Sequence, residues 1–147
     1  MKNSALCLAA ALTAAALTTG CGKRIDYSLP HDPIAFDTGN FVNPDNSDDT
    51  YLSITYNGRT YIGYGTLKNS IDGDDVGKCL GYRVQEGKKI EDSRFFLLNA
   101  DKADNYLVEI DIAGEMSQPL FFRATDTAGK DISTPDCIES LDYDYWK

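Results

Sequence analysis

"TYLSITYNGRTYIGYGT", residues 50–66, decides the fold. Two runs rich in Tyr, Ile and Thr, residue types that suit a pleated, half-buried surface, flank the dipeptide Asn57-Gly58. A two-residue hairpin turn requires positive φ at both central positions, and Asn followed by Gly tolerates that better than almost any other pair. The spacing predicts antiparallel strands with Ile54 opposite Tyr61, Thr55 opposite Thr60 and Tyr51 opposite Tyr64. Each such pair contributes from a few tenths to about 1 kcal/mol to a sheet.

The pattern continues downstream. Leu80, Tyr82 and Val84 alternate with polar or small residues, and "EGKKIED" supplies a turn. Phe95–Leu98 is a continuous apolar run, as expected of a strand buried on both faces. Tyr106, Val108, Ile110 and Ile112 alternate with polar Glu109 and Asp111, which reads as a half-exposed strand with its acids in water. Leu120–Thr125 forms one more. Short strands at this spacing predict a mainly β (small α+β) domain, an antiparallel sheet curled into a small barrel or sandwich. One or two short helices complete it, at Ser70–Lys78 and after the capping pair Thr134-Pro135. Residues 22–49 hold Pro30, Pro33, Pro44, several Asn and Asp and no periodic apolar pattern. They read as a flexible tether spanning roughly 30 Å, although Ile34, Phe36, Phe41 and Val42 could instead dock part of it on the domain. The expected organisation is a leader over 1–20, Cys21 and tether over 21–49, and one domain over 50–147.

The first residues differ in kind from the rest. Lys2 is followed by the apolar run Ala5–Leu17, interrupted only by Thr13. That run is too short for a bilayer, which needs about 20 residues, but it fits the core of an export signal. Thr18, Thr19 and Gly20 then lead into Cys21. This resembles the lipobox of bacterial lipoproteins, with one departure: Thr18 stands where the family prefers Leu, and Leu17 is one place earlier. The resemblance implies cleavage before Cys21, a diacylglycerol such as one carrying palmitate on its sulfur, and no other cofactor. It implies export and a lipid anchor in the cell membrane or, since Gly22 is not the retaining Asp, the outer membrane. Two acyl chains hold a protein firmly where one does not. "PLFFRATDT" (119–127) and "IESLDYDYW" (138–146) are similar to the soluble parts of small bacterial lipoproteins of unassigned activity, and imply none here.

Charge narrows the partners. The chain carries a formal net charge of −9, and all 23 acidic residues follow Cys21. Such a surface repels phosphate backbones, which argues against nucleic acid and leaves the anchor to act alone. "GDDVGKC", Gly73–Cys79, has the wrong glycine spacing and the wrong residue after Lys78 for a phosphate loop, so no nucleotide is expected. Asp72, Asp74 and Asp75 are candidate calcium ligands, yet Val76 and Arg83 occupy the fifth and twelfth loop positions where an EF-hand needs oxygen donors. Of four cysteines, Cys79 and Cys137 remain for an exported domain, and a disulfide between them would close about 58 residues, stabilising by roughly 4 kcal/mol on a chain-entropy model. His31, beside Pro30 and Pro33, is the sole histidine and makes a poor general base at that place. Nine Tyr, six Phe and one Trp leave aromatic contact as a resource. Tyr143, Tyr145 and Trp146 either close the core or bind a partner. The expectation is a lipid-anchored envelope protein acting by contact, with an envelope protein as a possible partner. The alternatives are an envelope-polymer hydrolase using a carboxylate pair and a module for a small solute or calcium.

Overall fold

The computed structural model describes residues 22–113 and 118–147. The leader 1–20 and Cys21 lie outside the described residues. The fold is mainly β. Its strands are β1 (Ile34–Asp37), β2 (Gly39–Asn43), β3 (Asn46–Tyr56), β4 (Arg59–Leu67), β5 (Val76–Gln85), β6 (Lys88–Lys89), β7 (Ser93–Leu98), β8 (Tyr106–Asp111), β9 (Leu120–Ala124) and β10 (Ile138–Ser140). They form one sheet in the order β1-β5-β7-β8-β9-β4-β3-β2, with β6 added to β5 and β10 to β4. All pairings are antiparallel except β1 on β5. Among the described residues helical structure is limited to two 3-10 turns, Thr125–Thr127 and Asp144–Trp146, so neither helix stands where the sequence suggested. Residues 73–75 are a turn, and Pro135 precedes a turn into β10.

The hairpin has the expected turn, with φ of 48° at Asn57 and 74° at Gly58. Ile54 faces Tyr61 and Thr55 faces Thr60 as read from the sequence. Tyr51 does not face Tyr64: the β3–β4 ladder ends at Ser53 and Ile62, and Tyr51 pairs with Phe41. Beyond that point β10 takes over the edge of β4, pairing Ile138–Ser140 with Gly65–Leu67.

Curling gives the sheet an inside and an outside, each with its own core. Phe36, Ile54, Tyr61, Phe95, Leu107, Phe122 and Ala124 converge from strands across the whole sheet. The Phe36 ring lies 4.4 Å from that of Phe95 and 6.2 Å from that of Tyr56, joining the β1 side of the sheet to β3. This is the inside of a half-barrel. On the outer face Tyr64, Phe96, Tyr106, Val108 and Phe121 are covered by the chain at Ile25–Leu29, by Ile71 and Ile132, and by Trp146. Both faces are therefore dry. Complete burial of one such aromatic side chain stabilises by about 1.5–3 kcal/mol.

The expected tether is not one. Ile25 is buried, the Tyr27 ring meets Phe96 edge-on at 6.0 Å, and β1, β2 and the start of β3 fall inside residues 22–49. Gly81 makes room for β1, since a Cβ there would collide with the Ile34 backbone. A residue that short lets β1 pair closely with β5 and bring Phe36 onto Phe95.

Candidate functional site

Strand direction fixes two ends of the half-barrel. At one end lie the Asn57-Gly58 turn, the start of β5, residues 99–105 and the end of β9. Arg59 clasps this end. Its Nε and Nη2 donate to both oxygens of Asp126 at 2.9 and 2.7 Å, and Nη1 donates to the carbonyls of Ala103 and Asp104 at 3.0 and 2.9 Å. Nη2 also reaches Asn105 Oδ1 at 3.1 Å. The Asp126 carboxylate holds the guanidinium above its ordinary pKa, and that guanidinium in turn draws the carboxyl below its own. Tyr61 donates its hydroxyl to the Asp104 carbonyl at 2.5 Å, and burial pushes its phenol up to about 12. This end has a hollow of about 280 Å³ beside Lys78, Leu97 and Lys102, and a larger one of about 500 Å³ beside Lys23, Arg24, Val76 and Cys79.

The other end carries the Glu86-Gly87 turn, the β8–β9 connection and the Asn43–Asn46 turn. Here the inward-facing rows of β5, β7 and β8 finish in Arg83, Ser93 and Glu109 instead of apolar side chains. Arg83 Nη2 donates to Glu109 Oε2, Ser93 donates its hydroxyl to Glu109 Oε1 at 2.7 Å, and the Arg83 backbone N–H donates to Ser93 Oγ at 3.2 Å. The two charged side chains keep only 19% and 11% of their surface exposed. Arg83 Nε is buried without a hydrogen-bond partner among the described residues. The cluster borders a cavity of about 390 Å³ shared with Gln85, Asp111, Gln118 and Leu120.

Leu120 also lines a second cavity, of about 500 Å³, so the two adjoin along β9. This second hollow opens where β3 parts from β4. Its walls are Tyr51, Leu52, Gly63, Phe122 and Tyr143, and its rim is Asp49, Asp142 and Asp144. Tyr51 donates to Asp49 at 2.6 Å, and its ring lies 5.2 Å from that of Tyr143. A mouth of this kind offers donors, acceptors and aromatic walls, but an excess of carboxylates. It suits a neutral or positively charged polar group far better than an anion.

The residues singled out by sequence are distributed unevenly around this mouth. Glu109 and Asp111 both line the cavity; Asp111 is exposed as expected, whereas Glu109, also expected to face water, is the more buried half of an ion pair. Sequence reasoning missed Arg83 and Ser93, whose only signal was a polar residue at each place where an inward row ends. Tyr143 borders the mouth, whereas Trp146 lies on the outer face, donating to the Gly63 carbonyl at 3.1 Å and packing 4.9 Å from the Arg123 guanidinium. Tyr145 donates to the Thr125 carbonyl at 3.0 Å. Of the aromatic tail, then, two rings close the fold and one faces the groove.

Asp72 and Asp75 turn their carboxylates onto their own loop, accepting from the backbone N–H of Asp74 at 2.8 Å and of Asp72 at 2.9 Å. No three His, Cys, Asp or Glu side chains among the described residues group to hold a metal. Cys79 and Cys137 are separate thiols in the structure, both packed against the outer core, and burial raises both pKa values. His31 is exposed beside Asp32, 3.1 Å away. No helix among the described residues is long and apolar enough to cross a membrane. No protein-family model matches this chain, and neither a curated protein nor a solved structure matches it significantly.

Proposed function

We propose that this chain is a lipid-anchored cell-envelope protein that works by binding at the mouth of its half-barrel. The observation that carries the anchoring is Thr18-Thr19-Gly20-Cys21 at the end of a thirteen-residue apolar leader core, Ala5–Leu17. Support for binding comes from the Arg83–Glu109–Ser93 cluster. A desolvated ion pair is a poor source of stability, so its placement on a cavity argues for use. The ligand or partner surface is neutral or cationic and rich in hydrogen-bonding groups. Metabolic labelling with palmitate and the mass of the mature amino terminus test the anchor. The expected result is a labelled chain beginning at Cys21, with label and cleavage both lost in Cys21→Ser; an unlabelled parent chain rejects the reading.

Hydrolysis of an envelope polymer is the second reading, because Glu109 and Asp111 share one cavity wall. Both Glu109 oxygens are already engaged, by Arg83 and Ser93, which leaves it poorly placed to protonate a leaving group. Oxidising compartments favour disulfides, and we propose that Cys79 and Cys137, separate thiols in the structure, pair there. Alkylation of the unreduced, denatured protein should then modify neither residue.

A further inference from the structure

The described chain is committed to the domain from its first residues. A Cβ at Gly22 would run into Asp72, the Lys23 carbonyl accepts from Gly73 N–H at 2.6 Å, and Lys23 Nζ lies 3.7 Å from Asp74. Ile25 is already buried, and Arg94 Nε donates to the Tyr27 carbonyl at 3.0 Å. One peptide unit, about 3.8 Å between Cα atoms, separates Cys21 from Gly22. A lipid on Cys21 therefore has no slack chain behind it. The headgroup layer on each side of a bilayer is only about 5–8 Å deep, so whatever surrounds Gly22 must meet it.

Gly22 sits at the Arg59 end. Gly73, Val76 and Asn99, which share a hollow with Lys23 and Arg24, are at the beginning of β5 and just past the end of β7. The Arg83 cluster lies at the opposite ends of the same strands, roughly 20–30 Å away at about 3.3 Å per residue. Charge divides along the same axis. Around Gly22 the exposed ions are Lys23, Arg24, Lys78 and Lys102 against Asp26 and Asp74. Asp72, Asp75, Asp101 and Asp104 add carboxylates that keep their charge, Asp101 while accepting from Tyr106 N–H at 2.7 Å. The remaining charges of that end offset one another, Arg59 against Asp126 and Lys130 against Asp131. At the far end exposed Asp45, Asp48, Glu86, Glu91, Asp92 and Asp111 outnumber Lys88 and Lys89. The near end is thus the less acidic of the two, and because the separation exceeds the Debye length of about 8 Å at physiological salt, an anionic surface repels it less than it would the far end.

We infer that the domain is mounted directly on the headgroup layer by its Arg59 end, without a tether, and that this holds the less acidic end against the membrane and the Arg83 mouth facing away from it. The inference rests on the lipid anchor at Cys21. The test uses the mature lipoprotein in vesicles of phosphatidylcholine with a minority of phosphatidylglycerol, beside a variant carrying a long Gly-Ser insertion between Gly22 and Lys23. Native lysines are acylated with a water-soluble ester and read by peptide mass spectrometry. Lys78 and Lys102 should react severalfold more slowly in the parent than in the insertion variant, while Lys88 and Lys89 react equally in both. Equal reactivity of all four lysines in two proteins that both float with the vesicles overturns the mount and leaves the anchor standing. A parent that fails to float, or a Cys21→Ser chain that floats as well as the parent, removes the anchor and the mount together.

Discussion

Two arginines mark the two ends of the half-barrel, and they are satisfied to different degrees. Arg59 spends five hydrogen bonds on a carboxylate, two carbonyls and an amide, joining the hairpin turn to the β7–β8 connection and to the 3-10 turn after β9. Arg83 has one carboxylate partner, a buried nitrogen left over and a cavity in front of it. Saturated polar groups hold an end together. An unsaturated one, kept at the cost of desolvating two charges, is what the proposed binding at the Arg83 end would use.

The contrast can be broken by mutation. The largest effect should come from Glu109→Leu, which strands the Arg83 charge and should cost about 2–4 kcal/mol in urea unfolding. Arg83→Met with Glu109→Leu should cost less than about 1 kcal/mol, because the pair is then replaced by apolar volume. A double variant as unstable as the single one would make the Arg83 cluster structural and erase the distinction between the ends.

The second effect is a pH dependence at the Arg59 end. The Tyr61 phenol is raised in the folded state, so its stability contribution is complete below the ordinary tyrosine value of 10 and is lost as pH rises towards about 12. The loss should be about 2–3 kcal/mol, read by unfolding in alkaline buffers, and Tyr61→Phe should flatten that slope. Third, Arg59→Lys keeps the charge but not the fork, and should lower stability by about 1–2 kcal/mol while leaving the mouth unchanged in ligand or partner binding.

Asp126→Asn should be the mildest. The folded Asp126 carboxyl is lowered from 3.8, so its contribution is present above that pH and disappears as pH falls through the folded value. Because the Asp126 side chain is 55% exposed, screening keeps the change below about 1 kcal/mol. An acid titration of stability should show a shallower slope below pH 4 in the variant.

The hairpin was legible because its information is local: Asn57-Gly58 selects the turn, and the turn selects the register of Ile54 and Tyr61. Glu109 was misread for the opposite reason. Alternation along β8 separates Tyr106, Val108 and Ile110 from Leu107, Glu109 and Asp111, but it does not say which row meets water. In this fold neither does for most of its length, because the first row lies under Ile25–Leu29 and the second turns into the half-barrel. The mouth was equally hidden, since Arg83 and Glu109 are 26 positions apart and no spacing rule joins them.

By itself the sequence determined the strand-rich class, the hairpin and the expectation of an acylated Cys21, all properties of short windows in which turn geometry or apolar length is decisive. Only the tertiary structure decided that residues 22–49 belong to the domain, with β1, β2 and the start of β3 in its sheet and Ile25–Leu29 over its outer face. Strands of four or five residues such as β1 and β2 have little preference of their own, and β1 is held by what others provide: the space over Gly81 and a slot for Phe36 between Phe95 and Tyr56. The same closure turned a row of polar residues inward and made a mouth of them, because a curled sheet buries both of its faces and leaves only its ends open.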